Sequence, residues 1–424
     1  MRNETKKIVF AINYFHPDYA STGQLMTELC MHIKDDFEIT VIAAQPGYSQ
    51  DSYAGESKKK IETEYWNGMK IIRVQLPQVN KRSKLSRIKY ILQYFMLANV
   101  ALLKEKNVDL IYTISQPPIL GGLIGTIGKF LKRSKHVYNI QDFNPEQAAA
   151  VNYTGGTVHN IAKRLDQINC RYSDHIILVG NDMKQTLENR FGKDHRLSHS
   201  VINNWTDENE ILPLLKSDPN VEGFLKEHHL ENKFIIMYSG NLGLYYDLEN
   251  LIKVADTVQS IPEIHFLYIG EGASKNEMQE YVSNNKLKNV TFLPYQPKEF
   301  IKYSLNVADA HLVVNQKGIK GVSVPSKIYG VMATGKPILG VLEQGSEAEF
   351  LISTSDSGFV SEPQDYKQFV ENIKSMYNLT GQERYEMGMR GRQHLDIHLK
   401  KELSLNKYKE TLSAIINNRG NEEV

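Results

Sequence analysis

Only two cysteines, Cys30 and Cys170, occur in 424 residues. Neither lies in a CxxC pair or a Cys/His ladder, so a structural zinc site and a disulfide scaffold are unsupported, and a reducing compartment fits best. An excess of one charge sign is missing too. Lys plus Arg number 50 and Asp plus Glu 49, a net charge of +1, which argues against a dedicated nucleic-acid binder. Long hydrophobic runs are absent. The most apolar stretch, Pro117–Leu131, is broken by Pro, Gly and Lys129 and falls short of the roughly 20 residues a membrane-spanning helix needs. The opening MRNETKKIVFAINYF does not read as a signal peptide, because HPDYAST follows the short apolar run instead of a small-residue cleavage site. There is no GxxxxGK[ST], HExxH or HxE…PCxxC, which excludes a P-loop ATPase and the common hydrolytic zinc sites.

What is present is ordinary globular composition, 41% hydrophobic and 23% charged, in a chain long enough for two cores of about 200 residues each. The N-terminal half alternates β-branched runs with amphipathic ones, the pattern of an open, mostly parallel sheet. Strands are predicted at Lys7–Asn13, Phe37–Ala43, Met69–Val74, Asp109–Thr113, His136–Ile140, His175–Val179 and Ser200–Asn203. Helices are predicted at Gln24–Ile33, Arg87–Lys106, Ile119–Leu131, Ile161–Tyr172 and Asn181–Arg190. A polar connection spans residues 205–231, and the alternation then restarts at Lys233–Tyr238. Helices are expected over Asp247–Val258, Lys275–Asn284, Pro297–Val307, Ser326–Met332, Tyr366–Asn378 and Gln382–Leu395. The implied domains are 1–204 and 232–397, followed by a tail at 398–424. The tail's apolar residues at 403, 405, 408, 412, 415 and 416 share one helical face. That helix either crosses back to the first domain or stays on its own.

Ligands of open α/β sheets bind beyond the carboxyl ends of strands, which singles out four loops. In YFHPDYASTG, Gly23 opens a helix whose free N–H groups suit a phosphate, although Ser21 and Thr22 could simply cap it. In IQDFNPE, Asp142 follows an apolar strand, either facing a cleft or capping the helix around Pro145. YSGNLG, holding Gly240, Asn241 and Gly243, is a glycine turn but not GxGxxG, so a nicotinamide or flavin reading is weak. In KGIKGVSVPSKIYGVMATG, Lys317, Lys320 and Lys327 surround a helix entrance beginning at Pro325-Ser326. This chemistry suits a diphosphate leaving group, or else a solvated basic face.

In order and spacing these segments resemble the GT-B glycosyltransferases of retaining family 4. The nearest likeness is to the bacterial surface-polysaccharide and O-antigen subgroup that includes N-acetylfucosamine-type transferases. The matching stretches are YFHPDYASTG, YNIQDFNPE, VINNWTD, YSGNLG, FLYIGEG, FLPYQP, SVPSKIYGVMATGKPI and GSEAEFLISTSDSGFV, which cover nearly the whole chain. The resemblance implies an α/β GT-B fold, two Rossmann-like domains facing a central cleft. The first would take the acceptor and the second the nucleotide-sugar. It further implies Asp142 and Lys327 as catalytic residues, and Gly23, Gly240, Asn241, Gly243, Glu271, Lys320, Ser323, Val324, Ser326 and Glu347 as donor-binding. Two features depart from the family. The second of its paired donor-site glutamates would fall at Gly330, with Val322 upstream, and Asn241-Leu242 stand where Arg or Lys is usual. Glu347 and Glu349 are the candidates to replace a missing carboxylate.

The implied activity is retaining transfer of an N-acetylated amino- or deoxyamino-hexose from a UDP-sugar to a polyprenyl-diphosphate-linked glycan. No metal or other cofactor is implied. A nucleotide-sugar-binding protein without transfer activity, or a GT-B-like epimerase, are the alternatives. The expected setting is cytoplasmic, with peripheral contact to the inner membrane. The basic cluster Lys81, Arg82, Lys84, Arg87 and Lys89 runs into the stripe Ile88, Ile91, Leu92, Phe95 and Met96, which is equally what a core helix needs.

Overall fold

The structure, a computed structural model, describes residues 5–18, 20–46, 59–77, 84–151, 156–192 and 197–417. Lys81, Arg82, Tyr19 and the side chain of Lys84 lie outside the described residues. The first half runs β1 (Lys7–Ala11), α1 (Ser21–Ile33), β2 (Glu38–Ala44), β3 (Ile61–Trp66), β4 (Met69–Val74), α2 (Lys84–Lys104), β5 (Leu110–Ile114), α3 (Leu120–Lys132), β6 (Lys135–Ile140), α4 (Asn144–Ala150), α5 (Gly156–Tyr172), β7 (His175–Leu178), α6 (Met183–Phe191) and β8 (His199–Val201). Its eight strands lie in the order β3-β4-β2-β1-β5-β6-β7-β8, parallel except for β3 against β4. The central strands are apolar and buried on both faces because helices cover both.

The second half comprises α7 (Pro219–Glu227), β9 (Phe234–Ser239), α8 (Leu248–Leu251), α9 (Val254–Thr257), β10 (Ile264–Ile269), α10 (Lys275–Asn284), β11 (Val290–Leu293), α11 (Ile301–Ser304), β12 (Ala310–Val314), α12 (Lys327–Ala333), β13 (Ile338–Val341), α13 (Glu347–Ser355), β14 (Gly358–Ser361), α14 (Tyr366–Asn378), α15 (Gly381–His398) and α16 (Lys401–Asn417). Its parallel sheet has the order β11-β10-β9-β12-β13-β14. Two Rossmann-like α/β units are therefore present, the GT-B architecture.

Three elements differ from the sequence reading. β3 was not anticipated; it is the antiparallel edge of a hairpin whose turn, Asn67-Gly68, has positive φ at both residues (49° and 83°). The expected helix Asp247–Val258 is two short pieces, and the Asn289 amide takes the Ala255 carbonyl at 2.9 Å. The expected helix Pro297–Val307 is α11 between two 3₁₀ turns. There the Asn306 amide takes the Lys302 carbonyl (2.7 Å) and the Leu212 carbonyl (2.9 Å), drawing the chain out of regular helix.

α16 lies on the first sheet. Its Leu405, Tyr408, Leu412 and Ile416 join the core formed by α1 and β1, and the Tyr408 ring meets Trp205 edge-on at 5.8 Å. The Lys401 ammonium at its start bonds Glu28 of α1 (3.2 Å) and Asp207 of the connection (2.9 Å). The opposite face of that sheet is covered by α2 and α3.

Candidate active site

The exit of β9 turns through Gly240, at φ 141°, and packs backbone to backbone against the exit of β10. A Cβ on Gly270 would lie 1.9 Å from the Gly240 carbonyl oxygen, so only glycine fits there. Gly240 N donates to Ile269 O and Leu242 N to Glu271 O, both at 2.9 Å, which fixes the turn. Lys327, the first residue of α12, points into this turn. Its Nζ lies 3.6 Å from the centroid of the Tyr238 ring and 4.4 Å from that of Tyr246, and finds no hydrogen-bond partner among the described residues. Burial drives its pKa well below the ordinary lysine value, because two aromatic faces only partly replace water around an ammonium. Such a cation lacks an anion, and a phosphate group is the natural complement.

Asp142 faces this region from the first half. The Ser115 hydroxyl accepts the backbone N–H groups of Gln141 (3.1 Å) and Asp142 (3.2 Å), and Asn144 Nδ2 donates to the Ser115 carbonyl at 2.7 Å. Asp142 does not cap α4: the N-cap position is Phe143, without a side-chain bond. Instead Asp142 forms an isolated antiparallel bridge with Ser323 of the second half, and Phe143 N donates to Val322 O at 2.9 Å. Burial raises the Asp142 pKa above the usual aspartate range; hydrogen bonds from Ser323 and from Gln147 (3.3 Å) oppose the shift. Tyr246 connects the two charges. Burial and then the Asp142 carboxylate push its hydroxyl up to about 12, while its ring lies on Lys327.

Beneath Asp142, Arg190 holds α4 in place. Its guanidinium takes both oxygens of Glu146 (2.9 and 2.5 Å) and Asp166 (2.6 Å), and stacks 4.3 Å from the Phe143 ring. A buried amide relay runs alongside: Asn204 to Gln141, Gln141 to Asn139, and Asn139 to the Tyr408 hydroxyl of α16 (2.8 Å).

The other expected residues occupy varied places. Ser326 is exposed at the N-cap of α12 and makes no capping bond. Gly23 sits in the first turn of α1, where an added Cβ would come 3.0 Å from that of Tyr14. The cap of that helix is Ala20, not Ser21 or Thr22, so no side chain satisfies its leading N–H groups. Asn241 is exposed, and its amide lies where a Cβ on Gly243 would project. Glu271 pairs with Lys275 at 2.6 Å. Lys320 Nζ donates to the Gln344 carbonyl at 2.6 Å. Val324, with Val322, is buried in an apolar cluster with Tyr138, Ile140, Phe143 and Leu178 of the first half. Glu347 is buried and already engaged, accepting from Asn181 N (2.7 Å) and Asn203 Nδ2 (2.8 Å); Glu349 accepts from Gly345 N (2.8 Å) and Ser353 (2.6 Å). In both residues each carboxylate oxygen already accepts at least one hydrogen bond.

Sequence reasoning missed Ser115, Gln147, Tyr238 and Tyr246. Ser115 ends a strand in TISQPP, and both tyrosines flank the glycine turn, so position relative to a strand exit was the available signal. Among the described residues, no group of three or more His, Cys, Asp and Glu could hold a metal ion.

The two Rossmann-like units have the GT-B fold, and the comparisons with known proteins support a transferase, a glycosyltransferase. Residues 222–394 match the family model described as Glycosyl transferases group 1. The chain is 24% identical over 383 residues to the putative colanic acid biosynthesis glycosyl transferase WcaI of Escherichia coli K12, covering 87% of this chain and 91% of that one. It is 24% identical over 294 residues to the probable glycosyltransferase WbjE of Pseudomonas aeruginosa, covering 69% and 72%. Among solved structures it superimposes on Anabaena Alr3699/HepE, crystallised with UDP, at a TM-score of 0.70 and 15% identity, covering 96% of this chain and 100% of that one.

Proposed function

We propose that this enzyme transfers a sugar from a UDP-sugar, with retention of anomeric configuration, to a polyprenyl-diphosphate-linked glycan in surface-polysaccharide assembly. The sugar is an N-acetylated amino- or deoxyamino-hexose. The single observation supporting this most strongly is the Lys327 ammonium over the Gly240 turn, opposite Asp142 and without a hydrogen-bond partner among the described residues. The acceptor hydroxyl attacks the anomeric carbon on the face from which the diphosphate leaves. The anomeric C–O bond breaks with its electrons passing to the diphosphate oxygen, and that oxygen takes the hydroxyl proton. Lys327 and the N–H groups around Ser326 stabilise the growing negative charge. Asp142 orients the reacting groups and offsets positive charge at the anomeric carbon. No metal is required, and the contact with the lipid-linked acceptor is made at the cytoplasmic membrane face.

The test is a panel of UDP- and GDP-sugars with a short-chain, water-soluble polyprenyl-diphosphate glycan, with product configuration read by NMR. A retained linkage from a UDP-sugar is the expected result. Donor binding without turnover would mean a nucleotide-sugar-binding protein, and free sugar with altered stereochemistry an epimerase.

A further inference from the structure

Twelve of the 22 large apolar side chains exposed among the described residues fall on α2, α3 and α5. On α2 they follow helical spacing at Leu85 (78% exposed), Ile88, Leu92 and Met96; Phe130 of α3 and Ile161 of α5 extend the surface. The three helices lie side by side. Lys132 of α3 donates to the Leu103 carbonyl of α2 at 2.5 Å, Lys129 donates to the Tyr172 carbonyl of α5 at 3.0 Å, and the Phe130 and Tyr172 rings meet at 5.4 Å. α2 is therefore apolar on both sides: Tyr94, Ala98 and Leu102 face the core while the first set faces outward.

Charge on this face is one-sided. In a chain with net charge +1, these three helices carry eight Lys or Arg with described side chains and a single acid, Asp166, which is buried against Arg190. The carboxylates at the border are already tied to cations: Glu105 to Lys7 and Lys70, Asp174 to Lys129, Glu146 to Arg190. A second copy docked isologously would bring like charges together, and so is disfavoured. An anionic lipid leaflet meets both properties, apolar side chains entering the interface while cations meet headgroups.

We propose that the α2–α3–α5 face is the enzyme's docking surface for an anionic bilayer. This rests on the membrane contact of the proposed function and extends it from the cluster at 81–89 to a three-helix face. The geometry also brings the bilayer beside the acceptor side of the cleft. The loop leading into α3 supplies Ser115, which holds Asp142, and His159 of α5 contacts the Pro145 carbonyl of α4 at 3.1 Å. A lipid-linked acceptor would thus approach Asp142 from the membrane edge.

The experiment is co-sedimentation of the full chain with vesicles of phosphatidylcholine alone or mixed with phosphatidylglycerol, at low and high salt. Binding to mixed vesicles at low salt, released by high salt, is expected. Replacing Lys89, Arg164 and Arg171 together by Gln should lower partitioning at least about tenfold, and Ile88, Leu92 and Met96 by Gln similarly. Circular dichroism melts and donor turnover on the water-soluble acceptor should stay unchanged in both variants. Equal recovery in every supernatant, or vesicle binding indifferent to both triple variants, overturns the assignment. So does a concentration-dependent dimer that the apolar variant dissolves, since a second copy would then own the face. Turnover on the soluble acceptor reports separately on the transferase reading.

Discussion

The Lys327 ammonium rests on the face of Tyr238, 3.6 Å from the ring centroid, with no hydrogen-bond partner among the described residues. A cation held this way is poised for an incoming anion, and its protonation must be linked to binding. Free, its pKa is depressed by burial; with diphosphate beside it the value rises. We predict proton uptake when UDP binds, with affinity falling as pH rises through the window between the free and bound values. Calorimetry in buffers of different ionisation enthalpy measures this. Lys327→Met should abolish the uptake and weaken UDP by about 1.5–3 kcal/mol, the range of a charge-assisted contact. A Lys327→Met protein with unchanged affinity and proton count would remove Lys327 from the donor site.

Asp142 is expected to trade stability for activity. Its raised pKa means the folded protein holds the proton more tightly than the unfolded chain does, so its ionisation costs stability once pH exceeds the unfolded-state value. We predict that Asp142→Asn melts at the same or higher temperature than wild type near neutral pH, with the difference vanishing in acid. Transfer should fall at least about a hundredfold, because the shape survives while the charge is lost. Wild-type transfer should also decline as pH drops through the raised pKa of Asp142, on an acid limb absent from the variant. Full transfer by Asp142→Asn would make the residue a structural bridge to Ser323.

Glu347 spans the two halves through Asn181 and Asn203. Glu347→Gln replaces one acceptor oxygen with a donor facing donors. A loss of about 1–3 kcal/mol in stability is predicted, with a larger radius of gyration by X-ray scattering as the halves part. Unchanged scattering and melting would mean that the other contacts across the halves, the Asp142–Ser323 bridge, the Phe143 N–Val322 O bond and the buried Val322 and Val324, suffice to hold them together.

Tyr408 ties α16 to β6 and the chain leading out of it to Asp142, through Asn139 and Gln141. Tyr408→Phe strands a buried amide and should cost about 1–3 kcal/mol in urea denaturation. Leu412→Ala opens a cavity in the same core and should cost about 2–5 kcal/mol. A Leu412→Ala protein as stable as wild type would be incompatible with α16 packed on the first sheet.

The sequence by itself determined the alternation of parallel strands and helices, since strands buried on both faces must be continuously apolar and the helices between them must be amphipathic. It also determined the glycine turns, because the close approach at Gly270 tolerates no side chain. Asp142 and Lys327 could be singled out because one follows a strand exit and the other opens a helix, positions where ligands of open α/β sheets bind. Tertiary structure alone decided what surrounds them. That Lys327 lies between two tyrosines with no hydrogen-bond partner among the described residues, and that Glu347 bonds Asn181 and Asn203, depends on residues up to 166 positions apart. The outward stripe on α2 was hidden for a related reason. An apolar residue reads identically whether it faces a core or a lipid surface, and only packing against β1 and β2 separates Tyr94 and Ala98 from Leu85 and Met96.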